Sequence, residues 1–121
     1  MPDFKSIRPF IGAKDFEESR KFYKDLDFLE IILSTTMSVF KVDEKLSFYL
    51  QKAYVKDWVD NSMLFLEVEN PEAYLAELKG KQLTQNYTKV RLSEIVENDW
   101  GKEFFLHDPS GVLWHIGCFK K

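Results

Sequence analysis

Residues 62–80 read SMLFLEVENPEAYLAELKG, and the order of signals in that stretch decides the fold. Ser62–Glu69 is apolar enough for a strand. Asn70-Pro71 then supplies an N-cap followed by a proline suited to the first helical position. Tyr74, Leu75 and Leu78 form an apolar helical face, and Gly80 ends it. A strand that runs straight into a helix asks for a second strand to cover it.

The same order occurs earlier. Ser6–Ala13 (SIRPFIGA) reads as a strand, with Pro9 marking an edge or a bulge. Asp15 and Glu18 make a capping-box-like pair, and Phe16, Ser19, Tyr23 and Leu26 follow at helical spacing. Helices are therefore expected at residues 15–26 and 71–79. A shift of 55 residues lays Ile11 on Leu66 and Asp15 on Asn70. After the first helix come strand candidates Phe28–Leu33, Ser38–Val42 and Leu46–Gln51, the last two joined by the polar turn Asp43-Glu44-Lys45. Two βαβββ modules, about 4–53 and 61–121, are thus expected within one α+β domain spanning 1–121. Lys52–Asn61, with Tyr54 and Trp58, joins them. Tyr87–Gly101 is a longer polar insert in which Leu92 and Ile95 are expected to pin a short helical turn.

The last strands come from DWGKEFFLHDPSGVLWHIG, residues 99–117, which hold both histidines of the chain. Asp108-Pro109-Ser110-Gly111 supplies turn chemistry. A four-residue turn pairs Phe104 with His115 and Phe105 with Trp114. That register places Phe104, Leu106, Leu113 and His115 on one face and sends Phe105 and Trp114 under the helices. His107 is expected to be exposed at the hairpin end.

Composition narrows the partners. A net charge of -3 and a pI near 5.4 argue against nucleic acid. The single cysteine, Cys118, excludes an internal disulfide and a thiolate zinc site. The first residues, MPDFKSIRPF, lack a signal-peptide core, and no apolar run approaches membrane-spanning length, so the cytoplasm is the expected location. Aromatics make up 16% of the chain; a core can absorb many of them, and they also line ligand clefts and interfaces.

The paired modules, KDFEESRKFYKDLDF at 14–28 and WGKEFFLHDPSG at 100–111, resemble the vicinal oxygen chelate superfamily of glyoxalases, extradiol dioxygenases and bleomycin resistance proteins. The order SEIVENDWGKEF, then DPSG, then an aliphatic-His strand is most similar to the bleomycin resistance proteins. The likeness spans nearly the whole chain. It departs at Asp27, where the family has Gly after the first helix; Asp tolerates the left-handed turn. The resemblance implies a curved mixed sheet, and a homodimer that exchanges segments so that each cleft lies between subunits.

Carried over by position, the superfamily's metal-ligand sites hold Arg8, Tyr49, Met63 and His115. A divalent ion in an N/O site needs three or four His or carboxylate ligands, and only His115 qualifies. No metal and no cofactor are therefore expected. His115 reads equally as a half-buried histidine hydrogen-bonded in a cleft or as a ligand contact. Trp100 reads as a loop anchor or as a stacking surface. Phe10 and Phe65 share the parity of Arg8 and Met63, and core packing also accounts for them.

The resemblance implies a metal-free small-molecule binding protein of antibiotic-resistance type that performs no chemistry. Its ligand would be planar or cationic, bleomycin-like, held by Tyr49, Phe65, Trp100, Phe104 and His115. Glu67, Glu94, Glu97 and Asp99 could form an acidic rim. The alternatives are a metal-dependent glyoxalase or dioxygenase, and a metal-free lyase or isomerase using His115 with Tyr49 as acid and base.

Overall fold

The computed structural model describes residues 2–121. The first module runs β1 (Phe10–Gly12), α1 (Phe16–Asp25), β2 (Leu29–Ser34), β3 (Met37–Lys41) and β4 (Ser47–Gln51). A single helical turn, α2 (Lys56–Asp60), bridges to the second module. That module runs β5 (Met63–Glu67), α3 (Pro71–Gly80), α4 (Leu83–Asn86), β6 (Arg91–Leu92), β7 (Val96–Asn98), β8 (Gly101–His107) and β9 (Leu113–Phe119).

Both helices start where their caps dictate. The Asp15 carboxylate accepts the Glu18 amide at 3.1 Å, and the Asn70 side chain accepts that of Ala73 at 3.0 Å. Asp27 takes a left-handed backbone with φ of 68°, the conformation that turns the chain from α1 into β2. The sheets repeat one topology. The first has the order β1-β4-β3-β2 with β1 parallel to β4; the second runs β5-β9-β8-β6, with β5 parallel to β9 and β7 also on β8. Among the described residues no helix is long and apolar enough to cross a membrane.

Three expectations need correction. The first strand covers only Phe10–Gly12, not Ser6–Ala13, because Pro9 has no N–H with which to extend the ladder. The insert does not form a helical turn at Leu92 and Ile95; the helical turn lies upstream in α4. Leu92 is in β6, and Ile95 packs on the core between β6 and β7. Ser93 separates those two short strands, its hydroxyl accepting the Phe105 amide at 2.8 Å in place of a ladder bond.

The third correction is the β8–β9 register. The turn is one residue longer than the four-residue reading: the Asp108 amide donates to the Val112 carbonyl at 2.9 Å. Phe104 therefore faces Ile116, and Phe105 faces His115. A one-residue slip moves every side chain of one strand to the other face relative to its partner. Phe104, Leu106, Trp114 and Ile116 are buried together in the core, while Phe105 and His115 share the outward face.

One core joins the modules. The inward faces of both sheets and both long helices meet around Tyr23, which is fully buried. Its ring lies 5.0 Å from Phe48 of its own module and 5.9 Å from Trp114 of the other. Its hydroxyl donates to Asp108 at 2.6 Å and accepts from the Trp114 indole at 3.0 Å. The other Asp108 oxygen accepts the amides of Ser110, Gly111 and Val112, each at 2.9 Å. Burial holds the Asp108 carboxyl above the usual aspartate range despite these donors.

Tyr23→Phe should cost about 2 kcal/mol, since it leaves a buried carboxylate oxygen and an indole N–H without their shared partner. Asp108→Ala should cost about 3 kcal/mol or more by stranding the turn amides as well. Urea unfolding of both variants and of the double variant is the check. The double variant should be destabilised by less than the sum, because the two residues share one hydrogen bond.

Candidate functional site

The core uses the inward faces of the sheets, so both outward faces are left open. On the first sheet, Phe10 and Tyr49 are paired across β1 and β4 and stack at 4.6 Å. Arg8 lies over the Tyr49 ring at 5.8 Å and its Nη1 is 3.5 Å from the Tyr49 hydroxyl. On the second sheet the equivalent register pair is Phe65 and His115, with Met63 on the same face of β5. The 55-residue shift that aligns the modules thus maps Phe10 onto Phe65, both facing outward.

The second face is richer. Phe65, Trp100 and Phe119 form a triangle of rings with centroids 5.2 to 5.8 Å apart. They are 42%, 38% and 53% exposed. Trp100 sits in the turn between β7 and β8, its carbonyl held by the Lys120 amide at 2.8 Å. Beside the triangle, Phe105 meets the His115 ring edge-on at 5.2 Å. Glu103, next along β8, approaches His115 Nδ1 at 2.7 Å. Its other oxygen accepts from the Asn98 side chain at 2.8 Å. An added Cβ at Gly117 would meet the Lys102 carbonyl and stand 2.9 Å from the Glu103 Cβ, so the missing side chain there lets β8 approach β9 closely at Glu103.

Next to this surface a groove of about 1150 Å³ runs between the β3–β4 turn and the β5 edge. Phe48 and Trp114 are among its lining residues, Ile7 and Pro9 border it, and it shares Phe65 and Phe119 with the aromatic triangle.

Of the residues expected to share one concave face, the structure brings together Phe65, His115 and Trp100. Tyr49 is on the other sheet. Phe104 is fully buried in the core, its ring 6.3 Å from that of Tyr74; the register explains the difference. Sequence reasoning missed Glu103, Phe105 and Phe119, which the corrected alternation along β8 and β9 puts on the His115 face. His107 is half-buried rather than exposed; burial and then Arg91 hold its imidazole below the usual histidine range. Glu94 leaves the expected acidic rim to pair with Lys79 at 2.7 Å, whereas Glu67 does line the groove. Trp58 is exposed on α2 and Tyr54 lies under Lys14 at 5.5 Å, away from His115.

The four positions implied for a metal fall into two pairs within one chain. Arg8 lies over Tyr49 of the first sheet, and Met63 and His115 are on the second. Among the described residues no group of three or more His, Cys, Asp or Glu gathers around a point.

No protein-family model matches the chain, and no curated protein matches it by sequence. Solved structures do match its fold. One is a bleomycin-binding protein from Streptomyces verticillus complexed with copper(II)-bleomycin, at 18% identity and a TM-score of 0.80, covering 99% of this chain and 100% of that one. Another is TnmS3, an antibiotic binding protein from Streptomyces sp. CB03234, at 14% identity and a TM-score of 0.74, covering 99% and 100%. A third is a lactoylglutathione lyase from Agrobacterium tumefaciens, at 11% identity and a TM-score of 0.67, covering 98% and 100%.

The two open faces and the core predict opposite responses to truncation. Phe104→Ala should cost about 3–5 kcal/mol through the loss of apolar burial and the cavity left behind. Phe65→Ala, on the open face, should cost under about 1.5 kcal/mol. Chemical denaturation of the two variants measures the difference, and the four-residue register predicts no such split.

Proposed function

The chain has the paired-βαβββ fold of the glyoxalase and bleomycin resistance type, and we propose that it binds a small planar or cationic molecule and sequesters it without chemistry. The observation that carries this reading is the Phe65–Trp100–Phe119 triangle, three large rings held against one another yet left open to solvent. An exposed aromatic cluster of this kind marks a binding surface. Planar groups stack on it, and each ring pair adds about 1 kcal/mol beyond area burial. Structures of the same fold from antibiotic-binding proteins support a ligand of that class.

In this reading a second copy completes the cleft, in the cytoplasm. Within one chain the Tyr49 face and the His115 face belong to different sheets that share a core, so neither encloses a ligand alone. Residues 2–9 belong to no helix or strand, and Phe4 and Ile7 are 84% and 97% exposed. Such a segment suits exchange onto a partner chain. The first face carries Arg8 and the second Glu103 and Glu67, so their juxtaposition across an interface joins opposite charges. A lyase or isomerase reading draws on the lactoylglutathione lyase fold and on the Glu103–His115 pair. It needs Tyr49 from the partner to supply a second proton-transfer group.

Two outcomes are expected. Sedimentation equilibrium should show a dimer, and Phe4→Asp with Ile7→Asp should weaken it at least tenfold while leaving the fold intact by circular dichroism. Bleomycin should quench tryptophan fluorescence saturably. Trp100→Ala should raise its Kd about fivefold or more, the equivalent of one stacked ring pair, and cost little stability. Unchanged affinity per folded molecule, together with a large drop in stability, would instead make Trp100 a plug.

A further inference from the structure

The pairing of Glu103 with His115 has a consequence for what the cleft accepts. Glu103 is 7% exposed although it lies on the outward face. Its oxygens are assigned on both sides: one takes the Asn98 side-chain N–H at 2.8 Å, the other faces His115 Nδ1 at 2.7 Å. An ionised carboxylate only accepts hydrogen bonds, so Nδ1 must carry the proton. In the neutral ring Nε2 is then a bare lone pair, the arrangement by which a carboxylate fixes an imidazole tautomer.

That lone pair is buried and has no hydrogen-bond partner among the described residues. Native structures rarely leave such an atom unpaired, so it calls for a partner. The ring around it is otherwise satisfied. Phe65 lies 20° from parallel at 6.4 Å and Phe105 meets it edge-on at 5.2 Å, and neither offers a strong donor.

We propose that Asn98, Glu103 and His115 form a relay that presents His115 Nε2 as a fixed hydrogen-bond acceptor of the aromatic cleft, so that the cleft selects planar ring systems bearing an N–H or O–H donor at their edge. The proposal rests on the ligand-binding reading of the same face and adds its polar chemistry. The ring of such a ligand takes the place of the Phe65 ring over the imidazole and stacks against Trp100 and Phe119, which brings its donor to Nε2. A carboxylate behind the imidazole reinforces a donor or a cation at Nε2 and disfavours an anion. His115 is the residue that touches the ligand; Glu103 and Asn98 are positioning residues.

The test uses the whole protein with ¹⁵N-labelled histidine, at a pH where free imidazole is neutral. The probes are benzimidazole and 1-methylbenzimidazole, which differ in a single N–H donor. Long-range ¹H–¹⁵N correlation should place the His115 proton on Nδ1. Benzimidazole should move the Nε2 resonance and bind about fivefold more tightly than its methylated analogue. Glu103→Gln should mix the tautomers and erase that preference, a readout that a purely structural carboxylate would not move. His115→Leu should erase it too, and His115→Gln, which keeps an acceptor, should restore part of it; these two variants decide the matter if Glu103→Gln does not fold. A proton on Nε2, equal affinity for both probes, or an Nε2 resonance indifferent to either overturns the proposal, even in a protein that binds bleomycin. Discrimination between the probes without bleomycin binding upholds it and removes only the bleomycin-like ligand.

Discussion

The carboxylate of Asp108 is the constraint on which the rest of the structure depends. It closes the β8–β9 turn through three backbone amides and takes the Tyr23 hydroxyl from a helix 85 positions away. A buried carboxylate is costly without donors, and here its donors serve two structural tasks. The amides set the hairpin register. Tyr23 locks α1 of one module onto β8–β9 of the other, and the Trp114 indole joins the same hydroxyl. Ser110 extends the link, its hydroxyl accepting the Lys14 amide at 2.9 Å just before α1.

That lock determines which surfaces remain for function. With the inward faces committed to a single shared core, the repeated modules turn equivalent outward rows away from it: Phe10 with Tyr49, and Phe65 with His115. The rows share geometry and differ in chemistry. The first is capped by a guanidinium over a phenol ring, the second by a carboxylate behind an imidazole. The repeat thus provides two outward rows of opposite character on one chain.

The second face also shows how a small architectural allowance supports a polar group among aromatics. Gly117 omits the side chain that would collide with Glu103, and Asn98 from the short β7 strand supplies the donor that keeps the carboxylate oriented. The broken strand pair β6 and β7 is what brings Asn98 there. Its register on β8 pairs Val96 with Glu103 and Asn98 with Gly101. An unbroken strand carrying the β6 register forward would have placed other residues at that point.

The fold was legible in the chain because its signals are local. Caps at Asp15 and Asn70 and helical spacing in 16–26 and 71–79 depend on residues within a few turns of one another, and the 55-residue repeat shows the same local order twice. The aromatic surface was legible in part: Phe65, Trp100 and His115 meet on one face. Phe104 did not follow, and Tyr49 lies on the other sheet. Strand alternation says which residues share a face within a strand, but not how two strands register. Registration came from one extra residue in a turn held by Asp108, and Asp108 was held in turn by Tyr23. Only the packed structure decides such an interaction, because its donors and acceptor are brought together by burial rather than by spacing along the chain.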